Sequence, residues 1–135
     1  VVMNSLVASD YFIVPCSAEY LPMVGLALLA NSVEQMRKLV PNLQSLGVIL
    51  TMFSRNERIC RQVENTLRRE LAGNIFETKV RVNTKAKSAP SVQKTIFDFE
   101  NSPQGRGTED FTALAEEFVA RLGERESQYR MVANG

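Results

Sequence analysis

Cationic side chains crowd one stretch of this sequence, and they are the groups best able to recognise a ligand. Between Arg55 and Lys87, nine lysines and arginines stand against four glutamates, a local balance of +5. From Asp98 onward eight acids face four arginines, a balance of −4, so a net charge of +1 conceals a basic part and an acidic part. A segregated basic surface attracts polyanions through their phosphates, without reading sequence. Covalent chemistry has less to work with. The absence of histidine removes Ser-His-Asp hydrolysis and the common histidine-containing zinc sites. Cys16 and Cys60 have no paired spacing and sit inside apparent secondary structure, so they read as small reduced thiols of a cytoplasmic protein.

The elements that must position those cations follow from the apolar pattern. A chain of 135 residues with 44% hydrophobic content suffices for one ordinary domain or a piece of a larger one. Residues 4–9 read as the end of a helix or a loop. Tyr11 to Pro15 is a short apolar strand closed by proline. Pro22 suits a first helical turn, and Leu26, Leu29, Val33, Met36 and Val40 recur at helical spacing until Pro41. Gly47 to Phe53 is a second continuous apolar strand, as expected in a parallel sheet covered on both faces. Ser54 and Glu57 have capping-box spacing, and Ile59, Val63, Thr66, Leu67 and Leu71 stripe a helix that Gly73 ends. Phe76, Thr78 and Val80 alternate with Glu77, Lys79 and Arg81, which predicts a strand nearer the sheet edge.

Beyond that strand, residues 83–90 and 101–107 read as irregular loops. Thr108 is expected to cap a last helix whose buried stripe is Phe111, Leu114, Ala115, Phe118, Val119 and Leu122. Its polar face carries Glu109, Asp110, Glu116 and Glu117, which anionic lipid would repel, so no membrane contact is expected. The ordered domain is expected to occupy residues 1–123, with 124–135 a flexible tail. No apolar run approaches the roughly 20 residues needed to span a bilayer. Strand, helix, strand, helix, strand, loop, helix is the order of a doubly wound α/β sheet with helices on both faces. Such a sheet usually has more strands, and its usual glycine-rich turn after a strand does not occur here.

Over residues 3 to 122 the chain resembles the C-terminal half of the ParA family of deviant-Walker partitioning ATPases. Asn4-Ser5-Leu6, Ala8-Ser9-Asp10, Ile13-Val14-Pro15 and Glu19 resemble the segment after the family's Walker B aspartate, and Gly25-Leu26 continues it. Gly47 to Phe53 is similar to the family's next strand, Ala89-Pro90-Ser91 with Lys94 to its Glu-Ala-Pro-Ser loop, and Arg106-Gly107 to the Ser-Arg-Gly before its last helix. The resemblance implies the C-terminal portion of a P-loop NTPase sheet that lacks the P-loop strand. It implies ATP and Mg2+ in the complete protein, neither of them expected to be bound by this chain alone. It further implies a homodimer, sequence-blind binding to duplex DNA of the nucleoid, and a ParB-like centromere-binding partner.

Carried over position by position, the resemblance makes Met52, Arg81, Val82 and Asn83 adenine-pocket candidates, with Asn83 reading the base edge. The family's Ile-Pro-Arg-Asn is here Val80-Arg81-Val82-Asn83. Lys85 matches a position often arginine in the family and tied to DNA. Lys87 lies close by, and Arg55 and Arg58 flank a second such position, so these four are the DNA-binding candidates. Glu19, at the carboxyl end of the first strand, is the dimer-interface candidate. The family's P-loop and Walker B motifs fall before Val1, and no Gly-Lys-Thr or Gly-Lys-Ser occurs in this sequence. Without amides, lysine and a magnesium-holding hydroxyl around the phosphates, the chain is expected to have no catalytic residues of its own and to be inactive alone. Two other readings remain open from the residues: a relative that positions another cellular cargo, and a non-catalytic binding module.

Overall fold

The computed structural model describes residues 2–19 and 23–133. Tyr20 and the helix start expected at Pro22 lie outside those residues, as do the side chains of Leu26, Leu29 and Val33. The elements run α1 (Val2–Val7), β1 (Tyr11–Ser17), α2 (Met23–Leu39), β2 (Gln44–Phe53), α3 (Arg58–Leu71), β3 (Ile75–Arg81), α4 (Thr84–Ser88), a 3-10 turn (Ala89–Val92), α5 (Ile96–Glu100) and α6 (Arg106–Ala133). The strands form one open parallel sheet in the order β1-β2-β3. The α/β class and parallel sheet agree with the sequence reading.

Two strands run longer than their sequence suggests. β1 continues through Pro15, which pairs with Ile49; on an edge strand a missing N–H interrupts a ladder on one side at most. β2 begins at Gln44, whose amide donates to the Asp10 carbonyl at 2.9 Å. Phe12 pairs with Ser45 but Ile13 with Gly47, which makes Leu46 the extra residue of a bulge. Gly47 sits there at φ +126, and a Cβ on it would lie 2.9 Å from the Asn74 carbonyl oxygen, so glycine is required.

The sheet buries both faces. On one, Leu50, Phe53 and Ile75 pack with Cys60, Val63 and Leu67 of α3; on the other, Leu46, Ile49 and Phe76 meet Leu114 of α6. The α3 stripe holds at Val63 and Leu67, but Cys60 takes the buried place expected for Ile59, which is exposed, and the helix start differs too. Ser54 forms no capping box: Glu57 is the N-cap with no side-chain cap bond, and the Ser54 carbonyl accepts the Glu57 amide in a turn. The helix ends at Ala72 in left-handed conformation, followed by Gly73 at φ +89.

Helix α6 departs most from expectation. Its inward face is Gly107, Asp110, Leu114, Glu117 and Arg121. The stripe expected to be buried leaves Phe111, Phe118 and Val119 exposed. The reason lies in β3. Val48 pairs with Ile75 but Leu50 with Lys79, so β3 carries two residues more than β2 across that interval. The bulge turns the amides of Glu77 and Thr78 outward, and both donate to the Glu117 carboxylate at 2.8 Å. Arg121 completes the seal by donating to the carbonyls of Ile75 (2.5 Å) and Leu46 (3.1 Å), with its guanidinium 4.3 Å from the Phe76 ring centre. An apolar face could not satisfy those groups, so Asp110 and Glu117, two of the four acids expected to face solvent, turn inward. The helix also continues through Gly123 to Ala133, past the boundary expected at residue 123; a glycine there is a modest penalty, not a stop.

Partial burial would raise the Glu117 carboxyl, but the Thr78 and Glu77 amides and Arg121 outweigh it and lower it. Glu117→Ala leaves two edge amides without an acceptor. It should cost about 1–3 kcal/mol in urea unfolding, whereas Glu116→Ala, on the exposed side, should stay within about 0.5 kcal/mol of wild type. Equal costs for the two would contradict the edge seal.

Candidate functional site

All three parallel strands end on one side: Ser17 pairs with Thr51, and Phe53 with Arg81. In open parallel sheets that carboxyl edge is where ligands bind. Glu19, exposed, follows β1; Arg55 and Arg58, exposed, follow β2; Asn83, Lys85 and Lys87 follow β3.

A cavity of about 220 Å3 opens at this edge, with a mostly apolar wall that includes Thr51, Met52, Val80, Ala86, Gly107 and Phe111. Arg81, Asn83, Lys87 and Asp110 also line it. It falls below the roughly 300–1,000 Å3 of pockets that take whole drug-sized ligands, so it suits one flat ring system and not an entire nucleotide. A second bulge shapes it. Leu50 pairs with Lys79 but Phe53 with Arg81, so β2 has one residue more than β3 there, and Met52 takes φ 53. A left-handed methionine is strained by about 1–3 kcal/mol, and strain of this kind collects at functional sites. Gly107 also lines the cavity; a Cβ on it would lie 2.9 Å from Asn83 Nδ2 and closer still to Ile96.

Arg81 reaches the cavity with its charge already engaged. Its amide donates to Asp110 Oδ2, its Nε to Asp110 Oδ1 and its Nη2 to Glu109, each at 2.8 Å. The hydrogen bonds it donates to Asp110 and then Glu109 push the guanidinium well above its ordinary value. Arg81 thus ties β3 to α6. Val82 does not line the cavity: its amide donates to the Phe53 carbonyl, and its own carbonyl accepts from Arg106.

Asn83 and Glu100 join the pieces of the edge. Asn83 Oδ1 accepts the Lys85 amide at 2.9 Å and so caps α4, within the segment expected to be irregular. Its Nδ2 donates to Glu100 at 3.1 Å. That leaves one amide N–H and one oxygen lone pair for a ligand. The Glu100 carboxylate also accepts the amides of Gly107 (3.1 Å) and Thr108 (2.7 Å) and the Thr108 hydroxyl (2.9 Å). Thr108 therefore does not cap α6 by itself; Glu100, from α5, does. Burial would raise this carboxyl, but the Thr108 and Gly107 amides, then the Asn83 side chain and the Thr108 hydroxyl, lower it to about 2.

The basic stretch divides in the same way. Arg68 pairs with Glu64 and Glu77, Lys79 with Glu64, Arg69 with Glu70, and Arg81 with Asp110 and Glu109. Arg61 donates to the Arg55 carbonyl. Among the described residues the side chains of Arg55, Arg58, Lys85 and Lys87 make no ion pair, and all four are exposed. Among the described residues no group of three His, Cys, Asp or Glu side chains could hold a metal ion. A larger groove of about 680 Å3 lies at the opposite, amino edge, lined by residues such as Asp10, Tyr11, Gln44 and Glu126. No helix among the described residues is long and apolar enough to cross a membrane.

Glu100, Gly107, Asp110 and Phe111 are the site residues that sequence reasoning missed. Phe111 and Asp110 were legible only as parts of helix faces, and Glu100 carries no local signal because its partners lie seven and eight residues on. Arg106-Gly107 was the available pointer.

An open parallel sheet with a ring-sized cavity and exposed cations at its carboxyl edge has the layout of the C-terminal part of a P-loop nucleotide hydrolase. No family model matches the chain. It is 35% identical over 123 residues to the chromosome-partitioning ATPase Soj of Thermus thermophilus, covering 90% of this chain and 49% of that protein. It is 32% identical over 119 residues to the sporulation initiation inhibitor protein Soj of Bacillus subtilis (87% and 46%), and 30% identical over 120 residues to the chromosome partitioning protein ParA of Myxococcus xanthus (88% and 42%). The chain is a homologue of the ParA and Soj chromosome-partitioning proteins and matches their C-terminal part. It spans about half the length of the curated relatives it matches.

The Glu100 cap carries a pH signature. Its carboxyl titrates at about 2 in the fold against an ordinary 4.5, so the cap stabilises fully above 4.5 and is lost as pH falls through 2. The difference in urea midpoint between wild type and Glu100→Gln should therefore be constant above 4.5 and shrink toward pH 2. A difference that keeps its size down to pH 2 would show that the ionised carboxylate is not what caps α6.

Proposed function

We propose that this chain supplies the base-binding, DNA-contacting and dimer-facing surfaces of an ATP-dependent chromosome- or plasmid-partitioning ATPase. The observation that carries the reading is the coincidence, at one sheet edge, of a ring-sized cavity with exposed cations that pair with no acid among the described residues. In this reading Met52 and Phe111 lie against the faces of an adenine, and the free hydrogen-bonding positions of Asn83 meet its edge. The Arg81 stem lines the base site while its guanidinium holds α6 in place. Val82 contributes indirectly, its backbone joining β3 to β2 and to Arg106.

Arg55, Arg58, Lys85 and Lys87 contact phosphates of duplex DNA, which requires charge and reach but no base code. Glu19, exposed beyond β1, faces a second subunit across the nucleotide. The chain itself hydrolyses nothing. Its sequence has no Gly-Lys-Thr or Gly-Lys-Ser, and Asp110 and Glu100 are held by Arg81 and by backbone amides. In this reading magnesium and the triphosphate are held by the rest of the complete protein. In the cell the complete protein occupies the nucleoid and answers to a ParB-like centromere-binding partner.

DNA binding is tested by fluorescence anisotropy with a duplex of arbitrary sequence over a salt series. Lys85→Ala should weaken binding equally for unrelated duplexes and reduce the slope of log affinity against log salt by about one. An unchanged slope would remove Lys85 from the DNA surface.

A further inference from the structure

The run of α6 past residue 123 carries Glu126 and Tyr129 to the amino edge of the sheet. There they line the larger groove, of about 680 Å3, together with Asp10, just before β1, and Tyr11, its first residue. A second hollow of about 250 Å3 adjoins it, sharing Pro41 and Gln44, and is lined by Arg37 from the last turn of α2 and by Arg125 of α6. The charges of this edge are not matched in the way that those of α3, β3 and the first turns of α6 are. Among the described residues the side chains of Asp10, Glu126 and Arg37 make no hydrogen bond or ion pair, and Arg125 meets a neutral group, the Asn74 side-chain oxygen at 3.5 Å. Two acids and two arginines thus line adjoining hollows without pairing. A ligand that carries both signs of charge would satisfy both.

We propose that these adjoining hollows bind the carboxyl-terminal end of a peptide chain that finishes in arginine or lysine. The side-chain cation enters the groove, where Asp10 and Glu126 supply negative charge and Tyr11 and Tyr129 supply ring faces. The terminal carboxylate occupies the smaller hollow, where the guanidinium groups of Arg37 and Arg125 donate charge-assisted hydrogen bonds. A free amino acid is a poorer match, because its ammonium would stand beside those same arginines. The groove also exceeds the volume of one residue and falls in the range of pockets that hold drug-sized molecules, which leaves room for the residues that precede the end. The site lies at the opposite ends of the strands from the cavity and cations assigned to base and DNA, so it stands or falls separately from that reading.

The test titrates the isotope-labelled chain with Nα-acetyl-arginine and follows the amide signals of Tyr11, Gln44 and Arg125. Three probes each remove one feature: Nα-acetyl-arginine amide lacks the carboxylate, Nα-acetyl-norleucine lacks the cation, and arginine carries the extra ammonium. Nα-acetyl-arginine should shift the three signals, and each of the other probes should bind more weakly by about fivefold, the factor that one well-placed exposed ion pair contributes. Two variants of exposed residues assign the ends. Glu126→Gln should weaken Nα-acetyl-arginine by a similar factor and leave Nα-acetyl-norleucine unchanged. Arg37→Gln should weaken Nα-acetyl-arginine and leave its amide unchanged. Equal affinity for Nα-acetyl-arginine and its amide overturns the carboxylate end, and equal affinity for arginine overturns the reading as a chain terminus. Absence of shifts at the amino edge, or shifts confined to the carboxyl edge, overturns the site.

Discussion

The amides of Glu77 and Thr78 lie on β3 where its register slips, and among the described residues no strand pairs with them there. Glu117 of α6 accepts both, and much of the molecule follows from that bond. A helix fixed at Glu117 and Arg121 must run along β3 with Asp110 beside Arg81 and Gly107 beside Asn83. The wall of the cavity is therefore set by how the sheet edge is sealed. An edge closed by side chains also gives no template for another strand, which removes the hazard that a free edge presents. β1 remains the edge without such a seal among the described residues.

The two charge populations of the basic stretch have different jobs because their acids differ in position. Glu64, Glu77, Asp110 and Glu109 lie where they tie α3, β3 and α6 together, and the arginines and lysine that meet them are structural. Exposed ion pairs add little stability, yet they remove a cation from any external role. Arg55, Arg58, Lys85 and Lys87 stand beyond the ends of β2 and β3 and pair with no acid among the described residues. A charge count treats all nine cations alike, whereas the fold leaves a small subset at the ligand edge.

The sheet itself was legible in the sequence. Continuous apolar runs at Tyr11–Pro15 and Gly47–Phe53 specify buried parallel strands, and the stripe of Val63 and Leu67 specifies the helix over them. Local signals failed where a long-range partner overrode them. Ser54 and Thr108 have the composition of helix caps, but the first closes a turn and the second is itself bonded by Glu100. The apolar stripe of α6 lost to the acids of its other face because bulged amides demand acceptors more strongly than phenylalanines demand burial. Met52, Arg81 and Asn83 were identified through family resemblance; their spacing alone says nothing of a shared cavity. The register slip that gives Met52 its left-handed backbone beside the cavity has no signature in composition or period.

The most direct measurement is nuclear Overhauser contact between adenosine and the isotope-labelled chain. Contacts from the purine protons to the Met52 methyl and the Phe111 ring, with amide shifts at Asn83 and Gly107, are the expected result. Adenosine that binds without touching those residues, or leaves the spectrum of the chain unchanged, would contradict the assignment of the carboxyl-edge cavity as a base site.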